Sequence, residues 1–458
     1  MTPASDPTSP TAPPSLEAVA SCIAGYDPNA LSVSQAQDFI ARFVPAVGAV
    51  EMLALRSALG RVLARDVVSP IAVPASDNSA MDGYALASAE LRDDAPTVLR
   101  VAGTAYAGQQ FEGRVASGEC VRIMTGAVMP AGLDTVVPQE FVLRTPAALP
   151  QDETRTPSPL PRQAGESQSI TIPAGAVRTG DNRRLAGEDL ALGEAALSAG
   201  RVLRPANIGL LASLGQAEVP VRRRLRVAFF STGDELRSIG EPLDAGCVYD
   251  SNRYTLHAML TRLGVEVLDF GVVRDEPAAL EAAFRSACEN ADAVITSGGV
   301  SVGEADHTRK VMATLGEVAF WRIAMRPGRP MAFGRVASSG RSAVLFGLPG
   351  NPVAVMVTFY AFVRGALLAM AGAAPQAMPM LRARATAAIR KKPGRTEYQR
   401  GIVTRAADGD WDVQLTGAQG SGILRSMSVA NGLVVLHHEQ GSVAQGERVD
   451  VLPFDGLV

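Results

Sequence analysis

The chain has 458 residues, of which 47% are hydrophobic and 19% charged, and it carries a net charge of −3. That length exceeds a single core and implies roughly three or four domains. The balance is that of a soluble globular protein, and the lack of a basic excess argues against nucleic acid as the main partner.

The four cysteines, Cys22, Cys120, Cys247 and Cys288, are far apart and form no CxxC pair. They suggest neither a disulfide framework nor a thiolate zinc site, and they fit a reducing cytoplasm. The four histidines form no metal-ligand pattern either; His437 and His438 are adjacent and would point to opposite faces of a strand. No secretory signal is visible. The longest apolar stretch, 353–370, contains Arg364 and Gly365 and follows a Pro-Gly-Asn-Pro turn, so it reads as a buried core helix and no membrane role is expected.

Residues 1–30 read as a disordered tail, rich in Pro, Ser and Thr at the start. Ser32 or Ser34 can cap a helix that carries Ala36, Phe39, Ile40 and Phe43 on one face. A second helical pattern runs through Met52, Leu53, Leu55, Leu59 and Val62, so 31–70 is expected to be a helical region, joined by 190–222. From residue 71 to 189 the texture is β-rich, with strands at 97–101, 120–124, 135–142 and 170–172. A segment at 144–169, dense in Pro, Ser, Thr, Gln and charge, reads as a loop insert.

Between 223 and 373 strands and helices alternate. Strands are expected at 225–230, 265–270, 293–295, 318–324 and 343–346, and helices at 252–263, 277–290, from about 307, and after Pro352. This pattern means a mostly parallel sheet with both faces covered. From 374 to 458 the helix pattern stops and five short strands suggest a small all-β domain. The chain has no Walker A motif and no dinucleotide GxGxxG.

Several turns of the α/β region are polar or glycine-rich: STGDE at 231–235, RDE at 274–276, SGGVSVGEAD at 297–306 and GLPGNP at 347–352. A glycine turn between strand and helix is either a plain tight connection or a cradle for phosphate, in which backbone N–H groups and a helix N-terminus face an anion. Ligands bind open α/β sheets beyond the carboxyl ends of their strands, where these turns would meet. Glu304 and Asp306 could hold a divalent cation or orient a substrate group, and Arg326 and Arg329 put positive charge on a neighbouring loop. The expected ligand is therefore phosphorylated and nucleotide-like, with Mg²⁺. DNSAMDGYA at 77–85, VRIMTG at 121–126 and GDNRRLAGED at 180–189 are further polar turns, readable as Asx-turns or ligand-facing loops.

In their order, DNSAMDGYA, VRIMTGA, RRLAGED, STGDEL, YDSN, SGGVSVGEAD, RPGRP, GLPGNPV and EYQRG resemble the MoeA/gephyrin E-domain family, molybdopterin molybdenumtransferase, over roughly 31–454. The resemblance implies an α/β multidomain protomer. A helical linker region and a β-rich domain accompany a central, mostly parallel three-layer α/β domain of molybdopterin-binding type and a C-terminal small β-barrel. It implies a homodimer whose cleft is shared between subunits, and transient contact with a molybdopterin adenylyltransferase. It implies insertion of molybdate into adenylated molybdopterin, with release of AMP and with Mg²⁺.

By motif, the resemblance assigns Asp82, Thr125, Asp189, Glu235, Asp275 and Asp306 as the polar cleft residues, with Asp275 and Asp306 as metal ligands. It assigns Ser297, Gly298, Gly299, Ser301 and Glu304 to the pterin-phosphate cradle, and Pro349, Gly350, Asn351 and Pro352 to the adjoining turn. Arg326, Arg329, Arg400 and Ser421 are oxyanion candidates. The family loop often reads KPGKP, whereas this chain has two arginines, planar forks in place of point charges. A stand-alone adenylyltransferase and a non-catalytic scaffold are the competing readings. The first has no use for the DNSAMDGYA region, and the second would call for a second α/β domain or a long linker, which the chain lacks.

Overall fold

The computed structural model describes residues 14–145, 169–300 and 307–454. Two compact units divide the chain. The larger takes the described residues up to Arg65, Ala199–Pro205 and those from Glu218 onward, and the smaller takes Asp66–Ser198 and Ala206–Ala217.

The larger unit is built on a six-stranded sheet in the order Glu266–Val273, Arg226–Thr232, Ala293–Ser297, Arg341–Leu348, Pro330–Ser338 and Gly316–Arg322. The first four strands are parallel and the last two join antiparallel. Alternate residues of the central strands enter opposite cores, as a pleated strand requires. Val227, Phe229 and Ile295 face one layer, and Ala228, Phe230 and Val294 face the other. Burying Phe229 and Phe230 contributes about 1.5–3 kcal/mol each. Ser251–Leu263 and Pro352–Met370 cover the first face, and Pro277–Asn290 and His307–Leu315 the second. The mostly parallel, two-faced sheet expected from the alternating pattern is present.

The helix Val33–Phe43 starts as expected. Ser32 Oγ accepts the Gln35 N–H (3.2 Å) and Gln35 reaches back to the Ser32 N–H (3.0 Å), a reciprocal cap. Its Phe39 and Phe43 pack against Trp321 and Phe333 of the sheet at ring separations of 5.1–6.1 Å. The disordered tail expected up to residue 30 is corrected from residue 14 onward: Leu16–Ser21 is helical, and Val19 and Ile23 join the core.

The second helix expected in 31–70 is absent. Val50–Ala54 is a strand paired antiparallel with Glu218–Arg222, followed by one 3₁₀ turn at Leu55–Ser57. The apolar spacing fitted both periods, and a partner far along the chain decided between them.

Pro352–Met370 runs 19 residues with mean hydropathy 1.9, and it is long and apolar enough to cross a membrane. Here 72% of it lies buried, with Val353, Phe359 and Val363 fully enclosed in the core. Five strands after residue 380 close into a barrel, because Thr396–Arg405 pairs with both Trp411–Leu415 and Gly432–Leu436. A short helix, Leu424–Val429, interrupts them, although no helix is expected from the sequence there.

Just before Ala293–Ser297, Asp292 accepts both Nη atoms of Arg223 (2.8 and 2.6 Å) and the Arg226 N–H (2.9 Å). Burial pushes this carboxyl up, but the Arg223 fork and the Arg226 N–H more than offset that, so its pKa ends below the ordinary 3.8. A depressed folded-state pKa means stability that is present above the ordinary value and lost as pH falls through the lower one. Asp292→Asn is expected to cost about 1–3 kcal/mol near neutral pH. The difference from wild type should shrink below about pH 4, as read from urea midpoints at the two pH values.

The smaller unit contains a six-stranded sheet in the order Thr135–Pro138, Gly83–Leu86, Glu119–Ile123, Thr97–Ala105, Ser169–Ile172 and Leu143–Thr145. The last two strands flank the insert expected at 144–169, and Thr145 pairs with Ser169. The insert's interior lies outside the described residues.

Candidate functional site

The four parallel strands of the larger unit run in one direction, so their following turns collect at one end of the sheet. Gly233-Asp234-Glu235 follows Thr232, Asp275 lies two residues past Val273, Gly298-Gly299 follow Ser297, and Pro349–Pro352 follow Leu348. Two glycines make the central turn possible. Gly298 has φ = +96°, and a Cβ on it would come within 2.4 Å of the Thr232 carbonyl oxygen. Gly299 has φ = +67°, and a Cβ there would meet the Thr308 side chain at 2.5 Å. Both positions therefore need glycine for backbone angle and for space.

Asn252, in the first turn of Ser251–Leu263, ties two of these strand ends together. Its Nδ2 donates to Ser297 Oγ (2.8 Å) and to the Gly350 carbonyl (2.7 Å). Asp250 caps the same helix by accepting the Arg253 N–H (3.0 Å). Asn252 Oδ1, Ser231 Oγ, Thr232 Oγ1 and Thr296 Oγ1 are buried here without a partner among the described residues. Orphaned polar atoms at the head of a sheet are capacity that a ligand or water can satisfy.

Asp275 is half-buried and accepts the Thr308 hydroxyl (3.3 Å), and its N–H lies 3.5 Å from Asp234 Oδ1. Adjacent strand ends thus place the Asp234 carboxylate against the Asp275 backbone N–H. Among the described residues no group of three or more His, Cys, Asp or Glu is placed to hold a metal. Glu235 is exposed, and its carboxylate lies over Gly233, 2.6 Å from where a Cβ would stand. Ser301, Glu304 and Asp306 lie outside the described residues.

Arg326 and Arg329 are exposed on the loop before Pro330–Ser338, and Met325–Arg326 pairs with Thr396–Glu397 of the barrel. Arg400 occupies a different setting from the one an open oxyanion site needs. It is fully buried, and its guanidinium donates to Ser426 Oγ (2.9 Å) and to the carbonyls of Ala418, Gln419 and Gly420. Burial lowers its pKa, and the charge of Arg326 lowers it further. Its visible work is to brace the 418–420 loop. The next residue, Ser421, accepts the Val353 N–H through its carbonyl (3.0 Å), which holds that loop against the start of Pro352–Met370.

The smaller unit gathers its own polar turns. Asp82 Oδ1 accepts both the Thr125 N–H and the Thr125 hydroxyl, each at 2.7 Å. The hydroxyl and then the N–H hold the Asp82 carboxyl below the usual carboxylate range. Next to Asp82, Gly83 admits no side chain, because a Cβ would stand 2.0 Å from the Val137 carbonyl oxygen. Arg183–Arg184 pairs with Asn78–Ser79, so RRLAGED lies beside DNSAMDGYA. Asp77 holds the two together by accepting the Ala186 N–H (2.8 Å) and the Arg183 guanidinium. Asp189 is exposed there, with its N–H on the Val73 carbonyl (3.0 Å).

Sequence reasoning assigned no individual role to Asn252, Asp234, Asp77 or Thr308, although the first three lie in the quoted YDSN, STGDEL and DNSAMDGYA motifs.

Three family profiles match consecutive parts of the chain. They are the MoeA N-terminal region (domain I and II) at 31–215, a probable molybdopterin binding domain at 228–369, and the MoeA C-terminal region (domain IV) at 382–454. The molybdopterin molybdenumtransferase of Haemophilus influenzae is 41% identical over 429 residues, covering 93% of this chain and 100% of that one. The chain belongs to the MoeA family. A second relative, the molybdopterin molybdenumtransferase of Nostoc sp., is 35% identical over 430 residues, 92% of this chain and 93% of its own. The crystal structure of the molybdopterin biosynthesis MoeA protein from Pyrococcus horikoshii superposes with a TM-score of 0.74 at 26% identity, covering 93% of this chain and all of that one. The MoeA matches include both the region of the Asp82–Thr125 pair and the barrel with Arg400. The four turns at the sheet end all fall within the probable molybdopterin binding domain.

Proposed function

We propose that this chain is a molybdopterin molybdenumtransferase that completes molybdenum cofactor by inserting molybdenum into molybdopterin. The observation that carries the reading is the head of the α/β sheet. There, two glycines that cannot bear a Cβ sit beside buried, unpartnered hydroxyls, with the Asp234 carboxylate on the Asp275 N–H, in a chain of this family.

In the finer reading the substrate is adenylated molybdopterin and the products are molybdenum cofactor and AMP. The Gly299 N–H and Ser297 bind the pterin phosphate, and Asn252 keeps that turn in register with Gly350. Asp275, oriented by the Thr308 hydroxyl, is a hard oxygen donor suited to Mg²⁺, which commonly takes one or two carboxylates and completes its shell with substrate phosphates. Asp275 and Asp306 would hold the ion, which supplies charge neutralisation at the pyrophosphate. Arg326 and Arg329 attract molybdate, a dianion.

The reading includes a homodimer in which the Asp82 loop of a second subunit completes the cleft, and substrate supply by a molybdopterin adenylyltransferase in transient contact. All four cysteines are unpaired, and burial pushes the Cys120 thiol up to about 12, which suits a cytoplasmic setting without thiol chemistry.

The test is purified protein supplied with adenylated molybdopterin, molybdate and Mg²⁺. It should release AMP and yield a cofactor that activates an apo-molybdoenzyme; adenylation of bare molybdopterin by ATP would instead identify an adenylyltransferase. Asp82→Ala and Asp275→Ala chains should each lose transfer by about 100-fold or more. Mixed, they should regain part of it, because one cleft per mixed dimer is intact. Failure of that rescue rejects the shared cleft while leaving the reaction standing.

A further inference from the structure

We propose a second binding site in this chain, for an organic anion with an apolar body, at the end of the α/β sheet opposite the glycine turns. A cavity of about 710 Å³ opens there. Its lining includes residues 222–225 and 262–265, which precede the strands Arg226–Thr232 and Glu266–Val273, whereas the candidate active-site turns follow those strands. A seven-residue strand separates the two ends by roughly 20 Å.

The walls are apolar: Ile40, Leu225, Val265, Tyr360 and Phe362 all contribute. Seven arginines also line the cavity, and no Asp or Glu does. Arg61 pairs with Glu51 and Arg223 with Asp292, Arg222 donates to the Gly48 carbonyl, and Arg204 donates to Gln376. Arg224, Arg262 and Arg364 approach from three different elements. Arg364 is half-buried, and burial lowers its pKa. The chain as a whole is acidic, at −3, so this concentration of guanidinium is local. The volume lies within the roughly 300–1,000 Å³ typical of small-molecule sites. Guanidinium forks bind carboxylate, phosphate or sulfonate in two-point fashion, while the apolar wall selects for a hydrophobic body. The same helix, Pro352–Met370, starts at the GLPGNP turn and lines this cavity from Tyr360 onward.

The full-length protein is titrated with two fluorescent probes of similar shape: anionic anilinonaphthalene sulfonate and neutral N-phenylnaphthylamine. The expected result is saturable, one-to-one binding of the anionic probe, weakened about tenfold in Arg224→Gln/Arg262→Gln, with the neutral probe changed less than about twofold. Gly365 is helical and lines the cavity, and a Cβ on it meets nothing within 4 Å. Gly365→Phe should therefore occupy the space and block both probes. Circular dichroism melting of each variant guards against a loss of fold. Absence of saturable binding, binding indifferent to the arginines, or binding indifferent to Gly365→Phe would each overturn the proposal. Neither probe is a substrate, so the outcome is independent of molybdenum transfer.

Discussion

Gly298→Ala is expected to lower the stability of the α/β unit by about 2–4 kcal/mol and to reduce molybdenum transfer by about 100-fold or more. Part of the cost is conformational. At φ = +96° an alanine pays about 1–2 kcal/mol that glycine does not. The rest is steric, since the new methyl would stand 2.4 Å from the Thr232 carbonyl oxygen. That oxygen ends a strand hydrogen-bonded on both sides, to Glu266–Val273 and to Ala293–Ser297, and it cannot move away without breaking one ladder. The Gly298 N–H also donates to the Leu348 carbonyl (3.1 Å), so a displaced turn would pull on the neighbouring strand end. Gly350→Ala is the matched control, because its added methyl meets only the Gly298 Cα, at 3.8 Å, an ordinary contact. Urea unfolding and AMP release should separate the two variants sharply. If Gly298→Ala behaves like Gly350→Ala, the turn does not bind as proposed.

Arg400→Ala should be the most destabilising single change in the barrel, costing about 3–5 kcal/mol. The side chain is fully enclosed and donates to a hydroxyl and three carbonyls. Its removal takes the donor from the buried Ser426 hydroxyl and from three part-buried loop carbonyls. Arg400→Lys keeps the charge but replaces a planar fork with a point donor, so it should fall between wild type and Ala. The readout is the guanidinium chloride midpoint followed by Trp411 fluorescence. A loss below about 1 kcal/mol would show that the 418–420 loop stands without its brace.

Where local signals and tertiary partners agree, the fold was legible. Pro277 opens its helix at the expected residue, and Gly264, at φ = +79°, ends Ser251–Leu263. The segment 50–57 failed because its apolar spacing satisfies a helix while its strand partner, 218–222, lies more than 160 residues on. Pro330–Ser338 went unread because Pro330 and Gly334 look like breakers. Yet a Cβ at Gly334 would come within 2.0 Å of the Glu317 carbonyl oxygen, so that glycine permits close strand approach instead of ending the strand. The polar turns of the site were legible because parallel strands deliver their carboxyl ends to one edge. Asn252 was not, because its two partners lie 45 and 98 residues away and only the folded sheet puts them within reach of one amide. Arg400 was noted for its charge, but its burial depends on a loop that no local pattern reveals.

The pairing of Thr145 with Ser169 has a consequence for how this chain can change. Residues facing one another across an antiparallel ladder stand about 5 Å apart, so whatever joins them leaves and returns through one narrow gate. Closing a longer path through that gate is cheap, since doubling its length costs about 0.6 kcal/mol. The ladder itself therefore sets no tight limit on the length of the segment between those strands. An engineer can use the same gate to graft an affinity tag or a reporter domain onto the β-rich unit while leaving its sheet register intact.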